Sequence, residues 1–281
     1  MTAEAIPRGG DGSGSVFLDG TLPLAFAHRG GAGWAPNAGV ENTLAAFGRA
    51  VGLGYRYLET DVRSTADGVA VLCHDPDVDR VAAGVATGAV RSRTWAQLSR
   101  LRVGGAEPFA RLDELLDAFP DARVNVDVKE DAAVGPFLSA LRRTGAAGRV
   151  GVASFGIRRA GRLRRALGPA VAVSATVPEV LGWLAAARVP SPGFRGAGRS
   201  SRGSARRRSV NYQVPPTARG RAVVTARTVA AAHRSGRQVH VWTVDDPGQI
   251  GALLDAGVDG IITDRPDVLR AVLVGRGQWH G

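Results

Sequence analysis

Residues 55–76, YRYLETDVRSTADGVAVLCHDP, decide how this chain reads. In the first half polar and apolar positions alternate. Glu59 and Asp61 therefore share one face of a strand, while Leu58, Thr60 and Val62 share the other. The apolar run VAVLC that follows reads as a second strand and delivers His74 and Asp75. Between the two lies Asp67-Gly68, a dipeptide suited to a two-residue type I′ turn. A hairpin centred there pairs residues whose numbers sum to 135, which sets Asp61 opposite His74. The residues around the acids are apolar on both faces, as in a strand covered on both sides. Carboxylates aimed into such a region require a cation or a set of hydrogen-bond donors.

Upstream, LAFAH (24–28) is a short strand ending in His28-Arg29-Gly30. After a Gly-rich loop, Glu41-Asn42-Thr43 opens a helix with Leu44, Phe47 and Val51 on one face and Asn42 as its expected N-cap. Downstream, residues 76–110 are turn-rich with one helical piece near 95–101, and a helix around Leu112 ends at Pro120. RVNVDVKE (123–130) alternates strictly and aligns Asn125, Asp127 and Lys129. The spacing then predicts strands over 149–154, 170–174, 209–213, 238–243 and 259–263, with helices over 157–167, 178–187, 225–236, 247–256 and 266–274. Without the returning arm of the hairpin this makes eight β-α units, the pattern of a closed (β/α)8 barrel whose active site lies at the C-terminal strand ends. A flexible leader (1–22) is expected before a single domain over 23–275, carrying a small insertion at about 76–110.

Composition narrows the function. No run approaches a membrane span, and the lone Cys73 excludes an internal disulfide and fits a reducing, cytoplasmic setting. The net charge of +11 is local: residues 180–244 hold twelve Arg and no Asp or Glu. No nucleic-acid partner is therefore expected for the protein as a whole. Within that region the Gly/Ser/Arg-rich residues 189–209 have almost nothing to bury and read as a solvated loop. Among 36 basic residues, Lys129 is the single lysine.

Glu59, Asp61 and Asp127, three oxygen donors from two strands without clustered Cys or His, describe a site for a hard divalent cation, Mg²⁺ or Ca²⁺. Arg29 and Lys129 beside that ion make sense if a phosphate binds there too. His28 and His74 supply two groups that titrate near neutrality, as a phosphodiester hydrolase needs for its acid and base. Trp242 is a candidate to pack on substrate carbons, with core packing as the alternative. His233, His240 and His280 are given no role.

The ordered series HRG (28–30), ENT (41–43), ETD (59–61), DG (67–68), HD (74–75), NVDVK (125–129), SF (154–155), VWTVD (241–245) and GIITDRP (260–266) resembles the glycerophosphodiester phosphodiesterase family over residues 24–272. The resemblance implies a TIM barrel that cleaves small glycerophosphodiesters to glycerol 3-phosphate and an alcohol with a divalent metal. It implies His28 and His74 as the acid–base pair, with His28 the base. It also implies Glu59, Asp61 and Asp127 as metal ligands, Arg29 and Lys129 on the phosphate, and residues 76–110 as a small region over the mouth. Many members carry Glu where Asp127 stands. Two other readings remain. One is a lysophospholipase D-type activity, which needs an apolar ramp for which the loops offer Trp34, Trp95 and Phe109. The other is a non-catalytic anion-binding module using the Arg-rich loop.

Overall fold

The computed structural model describes residues 16–82, 84–169, 171–188 and 211–281. Eight parallel strands line a barrel: β1 (Leu24–His28), β2 (Tyr57–Ser64), β3 (Arg123–Val128), β4 (Val150–Ala153), β5 (Ala172–Val173), β6 (Tyr212–Val214), β7 (Val239–Val241) and β8 (Gly260–Thr263). Their hydrogen-bonded order, β5-β4-β3-β2-β1-β8-β7-β6, runs once around a cylinder. Between β5 and β6 the wall is joined by the Ala175 N–H donating to the Asn211 carbonyl at 2.8 Å. Each strand is followed by a helix on the outside: Leu44–Gly52, Leu112–Ala118, Val134–Thr144, Ile157–Leu167, Val177–Arg188, Ala226–Arg234, Pro247–Asp255 and Pro266–Gly275. The helix Ile157–Leu167 shows why. Ala160, Leu163 and Leu167 recur at helical spacing and are buried, five Arg occupy the remaining faces, and Gly168 at φ +70° ends it.

Three expectations require correction. Residues 16–22 are not a loose leader. Phe17 is fully buried at the N-terminal base of the barrel, its ring against Phe26 and Tyr57 and its carbonyl accepting from the Tyr57 hydroxyl. Residues 1–15, and the Arg-rich stretch 189–209, lie outside the described residues. The hairpin register is shifted by one: Val62 pairs with Leu72, Arg63 with Val71 and Ser64 with Ala70. Its turn is a three-residue loop rather than type I′. The Gly68 N–H donates to the Thr65 carbonyl, Gly68 alone takes positive φ (+76°), and the Thr65 hydroxyl holds the Val69 N–H and Asp67. The side-chain hydrogen bonds of Thr65 select this loop. Finally, Thr43 and not Asn42 caps the first helix, accepting from the Ala46 N–H.

Residues 76–110 fold over the rim on a small core of their own, Val78, Val81, Val90, Leu98, Val103 and Phe109, which is continuous with Val71 and Cys73 of the hairpin arm.

Candidate active site

All eight residues singled out in the sequence, His28, Arg29, Glu59, Asp61, His74, Asp127, Lys129 and Trp242, line one cavity of about 300 Å³ at the C-terminal strand ends. Parallel pairing produces the convergence. Register sets His28 beside Glu59, Glu59 beside Asn125, and Asp61 beside Asp127. The buried face of one strand thereby repeats its chemistry on the next. The one-residue shift of the hairpin leaves His74 just past the last paired position, Leu72, and still on the cavity wall.

Both imidazoles are held by Nδ1. His28 Nδ1 lies 2.7 Å from Asp264 Oδ1, and His74 Nδ1 lies 2.7 Å from Asp75 Oδ1. A carboxylate accepts only, so each Nδ1 carries the hydrogen and Nε2 is left for chemistry. His28 Nε2 is 3.6 Å from Glu59 Oε2. Burial works to lower the His28 pKa, but the Glu59 charge and the bond to Asp264 outweigh it and raise it above the ordinary value. Burial, and then the charge of Asp61, push Glu59 up to about 7. Asp61 also suffers burial, yet Lys129 and then Arg29 hold it below the usual carboxylate range.

The two cations face inward. Lys129 Nζ lies 2.8 Å from Asp61 and 2.7 Å from Asp127, and Arg29 Nε lies 3.0 Å from Asp61. As they stand, no three His, Cys, Asp or Glu side chains among the described residues are grouped to hold an ion, because the ammonium lies between Asp61 and Asp127. The donor set nevertheless suits a hard cation. Among the described residues Asp127 Oδ1 is buried without a hydrogen-bond partner, and Glu59 has only the Arg29 N–H at 3.3 Å and the more distant His28. Carboxylates buried with unspent acceptor capacity are what a divalent ion satisfies.

Sequence reading assigned no site role to an outer ring of residues. Asn42, held at φ +58°, donates from Nδ2 to Asp61 at 3.1 Å and accepts from Thr60 at 2.7 Å. Arg29 is also at positive φ (+50°), so two strained residues meet at this site. Glu41 and Asp75 are joined by Arg80 of the insertion, which reaches Glu41 at 2.7 and 2.8 Å and Asp75 at 2.6 Å. Glu41 in turn holds Arg29 at 3.2 Å. Burial alone would raise Asp75, but Arg80 and His74 bring it down to about 2. Membership of the ENT, HD and GIITDRP motifs was the available signal for Glu41, Asn42, Asp75 and Asp264. Arg80 had none.

The far wall is different. Phe155, Val177, Val180, Leu181, Pro215 and Trp242 line it, with the Trp242 ring edge-on to Phe155 at 6.0 Å. The loop residues named for an apolar ramp do not contribute: Phe109 is buried in the insertion, and neither Trp34 nor Trp95 lines the cavity.

The model of the glycerophosphoryl diester phosphodiesterase family matches residues 28–268. The chain belongs to this family. It is 42% identical over 260 residues to a probable glycerophosphodiester phosphodiesterase 2 of Mycobacterium tuberculosis, covering 92% of this chain and 93% of that protein. It is 28% identical over 263 residues to a glycerophosphodiester phosphodiesterase of Caldanaerobacter subterraneus, covering 88% and 96%. Among solved structures, a putative glycerophosphoryl diester phosphodiesterase of Silicibacter pomeroyi superposes with a TM-score of 0.69 at 26% identity, covering 92% of this chain and 95% of that one. An Oleispira antarctica phosphodiesterase, solved with the product sn-glycerol-3-phosphate, has the same fold at 20% identity and a TM-score of 0.66, covering 90% and 97%. The family is one of phosphodiester hydrolases and the fold is its barrel. No helix among the described residues is long and apolar enough to cross a membrane.

Proposed function

We propose that the protein hydrolyses glycerophosphodiesters to glycerol 3-phosphate and an alcohol, with a divalent cation, Mg²⁺ or Ca²⁺, and acid–base catalysis by His28 and His74. The observation that carries this reading is the paired arrangement of the imidazoles, each fixed at Nδ1 by its own carboxylate and each leaving Nε2 for proton transfer. Glu59, Asp61 and Asp127 would hold the cation, which when bound supplies charge neutralisation for the phosphoryl oxygens. Arg29 and Lys129 turn inward from β1 and β3 and hold the phosphate by charge-assisted hydrogen bonds. His28, the deeper of the two, takes the proton of the nucleophile, either water or the substrate's neighbouring hydroxyl. His74, with 35% of its side chain exposed, returns a proton to the departing alcohol at the mouth. The buried, unpaired Cys73 accords with a cytoplasmic location.

A second reading, a lysophospholipid in place of a small head-group diester, is favoured by one observation. Phe155, Val177 and Leu181 extend the apolar wall outwards and are 63%, 53% and 61% exposed. A small soluble diester leaves them uncovered.

An enzyme-coupled assay for glycerol 3-phosphate, run on glycerophosphocholine, glycerophosphoethanolamine and a lysophospholipid, tests both readings. Chelator should abolish turnover, and Mg²⁺ or Ca²⁺ should restore it. Full activity in chelator removes the metal from the mechanism. Because Glu59 sits at about 7 in the metal-free protein, metal binding below that pH should release close to one proton and weaken as pH falls.

A further inference from the structure

The function described above leaves unused a strong division of charge. Residues 132–244 carry twenty Arg and a single acid, Glu179, although the whole chain has 25 acids. Glu179 itself is bound by Arg164 at 2.8 Å. Fourteen of those Arg lie among the described residues, 132–169, 171–188 and 211–244, which build the sector from the end of β3 to β7, whose rim is also the apolar one. Phe155 and Ile157 after β4, and Val177 and Leu181 after β5, are 63%, 57%, 53% and 61% exposed. They make up half of the eight large hydrophobic side chains that are exposed among the described residues. After β6 a small hairpin stands on the same rim, pairing Thr217 with Ala222 and Ala218 with Arg221, with every residue from 217 to 222 exposed. Its base is fixed at Pro216, next to the cavity residue Pro215. Its turn has Arg219 at φ +50° and Gly220 at φ +72°, a two-residue turn that raises Arg219 and Arg221 away from the wall. Arg158, beside Ile157, is exposed as well. None of these three guanidinium groups enters an ion pair among the described residues, whereas Arg159 and Arg162 reach Asp131.

We propose that this rim docks on an anionic lipid bilayer, with Phe155, Ile157, Val177 and Leu181 entering the interface and Arg158, Arg219 and Arg221 meeting the head groups. An apolar patch bordered by cations and nearly free of acids is the chemistry that binds such a surface. A nucleic acid would match the charge but would leave four aliphatic and aromatic side chains in water, so the bilayer is the better partner. Docking in this pose turns the cavity mouth towards the membrane.

The test is vesicle flotation of the full-length chain with phosphatidylcholine vesicles, plain or containing about a third phosphatidylglycerol, at about 0.1 M salt. The wild type should float with the anionic vesicles alone and be released by raised salt. The triple variant Ile157→Ser/Arg219→Glu/Arg221→Glu changes no residue of the cavity lining and should keep its melting temperature and its turnover of glycerophosphocholine. Its vesicle binding should fall by at least about tenfold. Equal flotation of variant and wild type would assign binding to basic residues elsewhere and overturn the proposal. So would absence of wild-type binding to anionic vesicles, or displacement from them by duplex DNA at equal charge. The melting temperature monitors folding without reference to turnover, so a failed hydrolase assignment and a failed docking assignment give separate signatures.

Discussion

Strands β1–β3 and strands β4–β6 end on the same rim, yet the two sectors solve different problems. The first turns Glu59, Asp61, Asp127, Arg29, Lys129 and His28 inward, the three acids buried, the three bases half-buried, and every one tied to a partner. Its acids and bases occupy matched register positions, and an outer ring of Asn42, Glu41, Asp75, Arg80 and Asp264 fixes their orientation. The second sector offers Phe155, Val177, Leu181 and Pro215 to the same cavity and leaves Arg158, Arg219 and Arg221 exposed outside it. One side of the mouth is therefore built to handle charge with precision and the other to accept apolar matter without direction. The same β-α unit serves both, because the fold fixes strand-end positions and leaves side-chain chemistry to the sequence.

The largest effect that separates the sectors is expected from the imidazoles. His28→Ala and His74→Ala should each lower kcat by roughly two to four orders of magnitude with melting temperature unchanged, as steady-state kinetics and thermal melts would record. Retention of wild-type kcat by either variant would falsify its assignment. Next comes Arg80, which does not line the cavity but binds the carboxylates behind both His74 and Arg29. Arg80→Ala should cost about 10- to 100-fold in kcat/KM, with part of the loss regained by added guanidinium or by Arg80→Lys. If Asp75→Asn is already present, the kcat part of that loss should largely disappear, since both changes act through the same imidazole. On the apolar side, Phe155→Ser should reduce kcat/KM for a lysophospholipid by about tenfold and for glycerophosphocholine by less than about threefold. Equal losses on both substrates would make the far wall structural and dissolve the contrast.

The smallest effect concerns stability, beneath the site. His240 is fully buried on β7, with Asn211 at 3.0 Å from Nδ1 and Gln238 at 2.9 Å from Nε2. Burial pushes its pKa down to about 4, below the ordinary 6.5 that applies when the chain is unfolded. The unfolded state therefore binds more protons between those values. The His240 contribution to stability is constant above about pH 6.5 and falls on acidification through that window. Glu59 and His28, both raised, act in the opposite sense, so the readout is a difference: from pH 7 to 5 the melting temperature of the wild type should fall relative to that of His240→Gln. An unchanged slope in the variant would place the acid sensitivity elsewhere.

The same contrast separates what was legible in the chain from what was not. Alternation in residues 57–64 and 123–128 located the polar sector, because side-chain direction along a strand follows the backbone and needs no tertiary information. Eight strand–helix periods announced the barrel for the same reason. Of the apolar wall only Trp242 was legible. Phe155, Val177 and Leu181 stand in helix-start and loop positions, where a hydrophobic residue looks like core, and only chain closure shows them facing a shared cavity. Turn chemistry misled where two local preferences competed. Asp67-Gly68 favours type I′, but the Thr65 side chain captures the loop. The two-residue turn with both residues at positive φ occurs instead at Arg219-Gly220.

The sequence by itself determined the strand and helix periods, the identity of the polar side chains that line the cavity and the face of the strand that carries them. These are local properties, set by steric alternation and by residue chemistry. Tertiary structure alone decided the hairpin register and the burial of Phe17. It also decided the link from Arg80 to both Glu41 and Asp75, and the union of distant loops into an exposed apolar rim. Each of those depends on contacts between segments far apart in the chain, and their energies exist only once the barrel has closed.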